Sequence, residues 1–144
     1  MMRLMATIYL CDMTVEDVVN RLLEHAKKDM EVAEATHHAG YHAHALFWAH
    51  LVLEKTCKGP WVSRKQEIRY PHTHSLLRLL KEAEIQIIED QLQFFTAMNE
   101  FQSHGRYGDE LERMEATVTP DLCAEFMAQT KIQMEWLIKQ MHSR

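Results

Sequence analysis

Two histidines precede a predicted helix start in the segment Arg69-Tyr70-Pro71-His72-Thr73-His74-Ser75-Leu76. Backbone N–H groups at a helix start attract anions, and an imidazole or guanidinium beside them strengthens the attraction for a phosphate. The alternative is structural, with Ser75 capping the helix and His74 holding the loop through a hydrogen bond. The segment is therefore a candidate phosphate site with a structural alternative.

The same part of the chain is strongly basic. Residues 55–81 contain seven lysines and arginines against one acidic residue, Glu67, which gives a net charge of +6. The whole chain has a net charge of −5 with histidine neutral, so the remainder carries −11. A basic segment within an acidic protein favours a local anion site over a general coat for nucleic acid.

Arg106 and Tyr107 form a second candidate, between two glycines. A guanidinium next to a phenol on a turn can bind a phosphate and stack on a base. The alternative is a surface ion pair between Arg106 and the acidic residues that follow, Asp109 or Glu110.

Histidines also cluster around one turn of the chain: His37, His38, His42 and His44 surround Gly40. A metal site would pair His38 with His42, but the break at Gly40 interrupts the helix that would place them on one face. No cysteine or set of carboxylates completes such a site in the sequence. We therefore predict surface or packed histidines, with no metal and no cofactor.

Composition places these residues on helices. Hydrophobic residues make up 47% of the 144 and charged residues 26%, which excludes a mainly disordered chain. Only four glycines and three prolines argue against a turn-rich β-sandwich. Three scattered cysteines fit a reducing interior, and the apolar runs are too short for a membrane span. We expect a cytoplasmic all-α protein with one domain over 13–144, after a poorly ordered leader over 1–12.

Start and stop signals divide this domain into helices. Thr14 opens a capping box, and the first helix is predicted to end at Gly40. The second is predicted from Tyr41 to about Lys58, is apolar nearly all round, and is broken by Gly59-Pro60. An irregular connection is predicted over 61–71.

Further signals follow in the second half of the chain. A third helix starts after Ser75, and a fourth runs from about Asp90 to His104. Residues 105–118 are predicted to be an acidic loop, and Thr119-Pro120 opens the last helix. The expected architecture is an up-and-down antiparallel bundle of four to five helices.

From about Met13 to Ser143, the order and spacing of several segments resemble HEPN domains. The matching pieces are Asp29-Met-Glu-Val-Ala-Glu followed by Gly40-Tyr41, the Ala-rich helix from Ala45 to Lys58, Thr73-His74-Ser75-Leu76, and Asn99-Glu100-Phe101 leading to Arg106-Tyr107. Gly108 stands where the family has proline after the Arg-Tyr pair.

The resemblance implies a helical homodimer that binds nucleotide or RNA, often beside a small nucleotidyltransferase partner in a toxin–antitoxin or defence system. Lys55 and Lys58, at the predicted end of the second helix, would then contact phosphate. His74 and Arg106 would be further donors, and Tyr107 could stack on the base. The second helix also offers surplus apolar surface for a dimer interface.

Some HEPN domains are metal-independent ribonucleases that use an Arg and a His, separated by a short spacer, near the start of the last helix. Here Arg106 is followed by no histidine until His142, whereas Arg69 and His74 have the spacing but lie elsewhere in the bundle. Three hypotheses remain: a non-catalytic binding domain, which we favour, a ribonuclease, and a structural adaptor that binds a protein.

Overall fold

The structure is a computed structural model that describes residues 13–104 and 108–141. These residues form six helices and no strand: α1 Val15–His38, α2 His42–Lys65, α3 Leu76–Glu82, α4 Glu89–His104, α5 Gly108–Thr117 and α6 Pro120–Gln140. The all-α class is confirmed, but the count exceeds the predicted four to five. The predicted leader, 1–12, lies outside the described residues.

α1 and α2 form an antiparallel hairpin. Thr14 caps α1, because its Oγ1 accepts the N–H of Asp17 at 3.1 Å while Asp17 Oδ2 accepts the N–H of Thr14 at 3.2 Å. After α1 the chain reverses at Gly40, whose φ of +93° is a backbone conformation that favours glycine. The reversal brings Asp29 of α1 to Lys55 of α2. The predicted capping box and glycine turn are confirmed.

α2 is the central helix. It packs against each of the other five helices. Its apolar residues, such as Leu46, Val52 and Leu53, are fully buried because every face of the helix meets a neighbour. The prediction of surplus apolar surface on this helix is therefore wrong: the domain itself covers that surface.

The prediction that Gly59-Pro60 ends α2 is also wrong. The helix continues to Lys65, and Gln66 then adopts a left-handed φ of +52°. A proline inside a helix costs about 3 kcal/mol relative to alanine, because it lacks an N–H and its ring clashes with the preceding turn. Every residue over 56–62 is buried, however. Burying one large apolar side chain contributes about 1.5–3 kcal/mol, so packing on both sides of Pro60 offsets the cost.

α3 and α4 begin close to their predicted positions. Ser75 caps α3, with its Oγ accepting the N–H of Arg78 at 3.2 Å. The link that follows contains Glu84 in a left-handed conformation, with φ of +57°. α4 then buries Phe95 and Met98. Together, α3 and α4 hold the segment before Ser75 against α2.

The acidic stretch before the last helix is helical over 108–117, so the predicted loop is wrong there. Met114 is the buried residue of α5, and four of the ten residues of the helix are acidic. One buried side chain on an acidic background gives a weak periodic signal. The start of α6 is as predicted: Thr119 Oγ1 accepts the N–H of Leu122 at 3.1 Å, with Pro120 at the first helical position.

Across 13–104 and 108–141, every helix is too short or too polar to cross a bilayer.

Candidate functional site

A row of polar side chains runs along one face of α2. His50, Glu54 and Lys58 are four residues apart, and all three are buried on a helix that is otherwise mostly apolar. Positions four apart stack on the same side of a helix, so these three side chains are neighbours. A buried polar row of this kind is stable only if its members have partners.

Glu54 has a partner for each carboxylate oxygen. Its Oε1 accepts a hydrogen bond from His74 Nδ1 at 2.7 Å, and its Oε2 accepts one from Lys58 Nζ at 3.0 Å. The Lys58 ammonium also lies 5.1 Å from the centre of the Tyr70 ring. Burial by itself would raise the pKa of Glu54, but the hydrogen bonds from His74 and Lys58 and the Lys58 charge together lower it. Glu54 is therefore an ionised, buried carboxylate.

This carboxylate orients the imidazole of His74. Because a carboxylate only accepts, Nδ1 of His74 carries the hydrogen in this bond. Nε2 has no hydrogen-bond partner in the part of the chain that the structure describes, and the side chain is 51% exposed. One ring nitrogen is thus fixed to the protein while the other is available to an outside ligand.

The backbone of the same residue is held from two helices. His50 Nε2 donates to the carbonyl of His74 at 3.0 Å, and Asn99 Nδ2 of α4 donates to that carbonyl at 2.7 Å. Asn99 Oδ1 also accepts the N–H of Leu76 at 3.1 Å, so the amide bridges both sides of the α3 start. The loop before α3 is consequently fixed to α2 and α4.

His50 is buried as a neutral imidazole. Burial lowers its pKa to about 4, despite the opposing effects of Glu54 and of the hydrogen bond to His74. Since Nε2 donates to a carbonyl, Nδ1 is the nitrogen without hydrogen, and it is buried with no hydrogen-bond partner among the described residues. The role visible for His50 is to position the His74 backbone.

Lys55, another predicted site residue, lies apart from this network. Lys55 forms an ion pair with Asp29 of α1 at 2.5 Å. Because α2 continues to Lys65, Lys55 and Lys58 lie within the helix and not at its end, which corrects the prediction.

The predicted Arg69–His74 pair is not formed as a contact. Arg69 is exposed, its backbone N–H donates to Glu67 Oε1 at 2.9 Å, and over 13–104 and 108–141 its side chain makes no ion pair. Arg106 and Tyr107, the predicted phosphate donor and base-stacking residue, lie outside the described residues.

A second polar group lies at the Gly40 turn. His37 Nδ1 and His42 Nδ1 are 2.8 Å apart, and Cys123 Sγ of α6 donates to the His42 carbonyl at 3.5 Å. In the sequence, the pair considered for a metal site was His38 with His42, and no cysteine was expected near them. In the structure His37, and not His38, lies against His42. Cys123 contacts the same residue although it is 81 positions away in the chain. Burial, with His42 and His38 nearby, lowers the pKa of His37.

Only part of this arrangement had a signal in the sequence. The period-four spacing of His50, Glu54 and Lys58 on an apolar helix was visible, although only Lys58 was assigned to a site. Asn99 and Cys123 had no such signal, because their partners come from other helices.

A model of the HEPN domain family matches residues 19–141. This span covers most of the chain and includes both polar groups described above. No curated protein and no solved structure matches the chain. The family match is a finding about the whole bundle, so the chemistry must be argued from the side chains themselves.

Proposed function

The chain belongs to the HEPN domain family, and we propose that it is a non-catalytic domain that binds a nucleotide or RNA through phosphate contacts around His74. The observation that carries the proposal is the Glu54–His74 hydrogen bond of 2.7 Å, which fixes the imidazole and leaves Nε2 to a ligand. A fixed donor loses little conformational entropy on binding, so it contributes more affinity than a mobile one.

Charge around His74 supports an anionic ligand. Arg69 and Arg78 flank it in sequence and are exposed, as are Lys65 and Lys81 of the same basic segment. Protonated His74 would donate Nε2–H to a phosphate oxygen, and the guanidiniums would supply further donors. The Glu54 carboxylate, which accepts the hydrogen bond from His74 Nδ1, compensates the positive charge of the imidazolium.

The lysines take a different part in this proposal. Lys58 neutralises Glu54, and Lys55 pairs with Asp29, so both ammonium groups are held in place and each offsets a nearby carboxylate. Arg106 and Tyr107 remain a proposed phosphate donor and base-stacking residue. Replacing Arg106 by alanine should weaken nucleotide binding without loss of helical content.

The test is calorimetric titration of the full chain with ATP, GTP and a short RNA, in the presence of a chelator and at two salt concentrations. We expect salt-sensitive binding, because phosphate contacts release counterions. His74→Ala should weaken it about tenfold, the loss of one charge-assisted hydrogen bond. His72→Ala is the matched control, since His72 is an exposed histidine two residues away.

Equal binding by the two histidine variants would contradict the site assignment. Absence of binding for every ligand at both salt concentrations would overturn the proposed function and favour the structural adaptor.

A ribonuclease is the second candidate, favoured by the same carboxylate–imidazole pair. A carboxylate on Nδ1 stabilises the imidazolium that forms when Nε2 takes a proton, as a general base does. The exposed Arg69 could then stabilise charge on the phosphate. This predicts cleavage of RNA in the presence of a chelator, with 2′,3′-cyclic ends, that His74→Ala abolishes and His72→Ala preserves. Intact RNA after incubation with the wild-type chain would exclude this candidate.

We further propose a homodimer that serves a nucleotidyltransferase-type partner in a toxin–antitoxin or defence setting, as the family resemblance implies. The groove between α4 and α6 supports a dimer surface: it has a volume of about 430 Å³, and its lining includes Ile88, Phe94 and Trp136. Ile88 is 66% exposed, so a partner that covers this groove would remove its apolar surface from water. Sedimentation should show a dimer that Ile88→Glu converts to monomer, whereas a monomeric wild-type chain would contradict the proposal.

A further inference from the structure

Three potential metal ligands converge where α1, α2 and α6 meet. His37 lies in the last turn of α1, His42 is the first residue of α2, and Cys123 is in the first turns of α6. One ligand atom from each of these side chains lies within 4.8 Å of the other two. The group is separate from the Glu54–His74 network, and the proposed function makes no use of it.

Two hydrogen bonds hold the polar atoms of this group. His37 Nδ1 and His42 Nδ1 face each other at 2.8 Å, so one of them donates and the other accepts. The Cys123 thiol is buried and makes a long bond of 3.5 Å to the His42 carbonyl. Two imidazole nitrogens and a sulfur therefore point into one small region.

The donor set and its dimensions fit a particular ion. Imidazole nitrogen and thiolate sulfur are the ligands that Zn²⁺ prefers, and three protein ligands with one open position is a common zinc arrangement. Tetrahedral bonds of about 2.1 Å to nitrogen and 2.3 Å to sulfur place the ligand atoms roughly 3.4–3.6 Å apart. The two nitrogens need to separate by roughly 0.6 Å, and the sulfur, which lies within 4.8 Å of them, needs to approach by up to about 1.2 Å. Rotation of the half-buried rings and of the Cys123 side chain can supply both movements.

We propose that His37, His42 and Cys123 bind one Zn²⁺ ion, with the fourth position open to water or to an outside ligand. The ion joins the start of α6 to the α1–α2 turn, so it stabilises the contact between the last helix and the hairpin. The cysteine is essential to the site, because it is the ligand from α6 and its thiolate supplies the negative charge.

The experiment is titration of the reduced, chelator-treated full chain with Co²⁺, which replaces Zn²⁺ and reports sulfur ligation by a thiolate-to-cobalt charge-transfer band. We expect one equivalent bound, a band in the near ultraviolet, and its loss when Zn²⁺ is added. Cys123→Ser should abolish the band. His37→Gln and His42→Gln should each weaken binding at least tenfold.

Two control variants make the result specific. His44→Gln removes a neighbouring histidine that pairs with Glu115, and Cys11→Ser removes a cysteine outside the described residues. Both should retain the band. Zinc at about one hundred times its Kd should also raise the melting temperature of the wild-type chain by roughly 5–10 °C and leave that of Cys123→Ser unchanged. A band that persists in Cys123→Ser, disappears in Cys11→Ser, or is absent from the wild-type chain would overturn the proposal.

Discussion

The polar row on α2 and the histidine turn at Gly40 use similar side chains in opposite ways. In the row, the Glu54 carboxylate accepts from His74 and Lys58, so each bond has a defined donor and acceptor. At the turn, two imidazoles and a thiol face one another and are held by one short contact and one long one.

The comparison shows that a carboxylate partner determines the tautomer and orientation of an imidazole. Glu54 determines the tautomer of His74 and therefore which nitrogen faces outward. At the turn, the imidazole nitrogens of His37 and His42 and the sulfur of Cys123 can each donate a lone pair to a metal ion, and they lie within 4.8 Å of one another. The row is a fixed hydrogen-bonded network with one free nitrogen, and the turn is a ligand set.

The largest expected effect is the loss of the charge at the centre of the row. Glu54→Gln leaves the Lys58 ammonium buried without a counter-charge and offers it only a neutral amide. We expect the free energy of unfolding to fall by about 3–5 kcal/mol, as for other broken buried pairs. Urea denaturation measures this change.

The double variant Glu54→Gln with Lys58→Met should recover part of that loss, because it removes the stranded charge as well. The matched control is Glu115→Gln in α5, whose exposed pair with His44 of α2 should contribute no more than about 0.5 kcal/mol. A Glu54→Gln variant as stable as this control would show that the row is not a buried ionic network.

The second effect is acid sensitivity of the row. His50 has a pKa of about 4 in the folded chain against 6.5 unfolded, so the unfolded chain takes up the proton first as the pH falls. Stability is therefore full above pH 6.5, falls between about 6.5 and 4, and changes no further from this cause below 4. The lost contribution is on the order of 3 kcal/mol.

Glu54 acts in the same direction, since its folded pKa is also lowered and its contribution disappears as pH falls through that value. Urea denaturation at several pH values should show a steep loss for the wild-type chain and a shallower one for His50→Gln. Parallel curves for the two proteins would assign the acid sensitivity to other groups with lowered pKa values, such as Glu54 and His37.

The smallest expected effects come from replacing two glycines by alanine. Gly40 lies in the turn, and Gly59 follows Lys58 in α2. Gly40 has φ of +93°, so Gly40→Ala should destabilise the domain by about 1–2 kcal/mol even though space is available. Gly59 is helical, and an added Cβ would lie 3.5 Å from Leu23 and 3.6 Å from Met141, which are ordinary contacts. Gly59→Ala should therefore stabilise by up to about 1 kcal/mol.

Thermal or urea unfolding of both variants gives the sign directly. A Gly59→Ala variant less stable than wild type would mean that the approach of α1 and the end of α6 to α2 requires glycine. A neutral Gly40→Ala would mean that the turn relaxes to another conformation.

Much of the secondary structure could be read from local signals. Thr14, Ser75 and Thr119 each cap the helix predicted for them, because a cap depends on groups within three or four residues. The two wrong boundaries have non-local causes. Pro60 stays in a helix because the surrounding bundle buries both of its flanks, and α5 is helical although only Met114 is buried and Leu111 is partly buried against the core.

The residues of the candidate site also fall into two groups, those with a local signal in the sequence and those whose role depends on non-local contacts. His74 was assigned from the sequence, since a basic segment at a helix start is a local pattern, and Lys58 was assigned from the resemblance to HEPN domains. The acceptor that joins them, Glu54, was not assigned, because nothing in the sequence shows that a residue of α2 faces the loop before α3. Asn99 was missed for the same reason.

The sequence by itself determined the all-α class, the caps, the glycine turn and the location of positive charge, since these depend on composition and on near neighbours. Tertiary structure alone decided that Glu54 orients His74, that Asn99 fixes the α3 start, and that Cys123 meets His37 and His42. Each of these contacts joins helices that are distant in the chain, and only packing of the apolar faces of the helices sets which polar side chains meet.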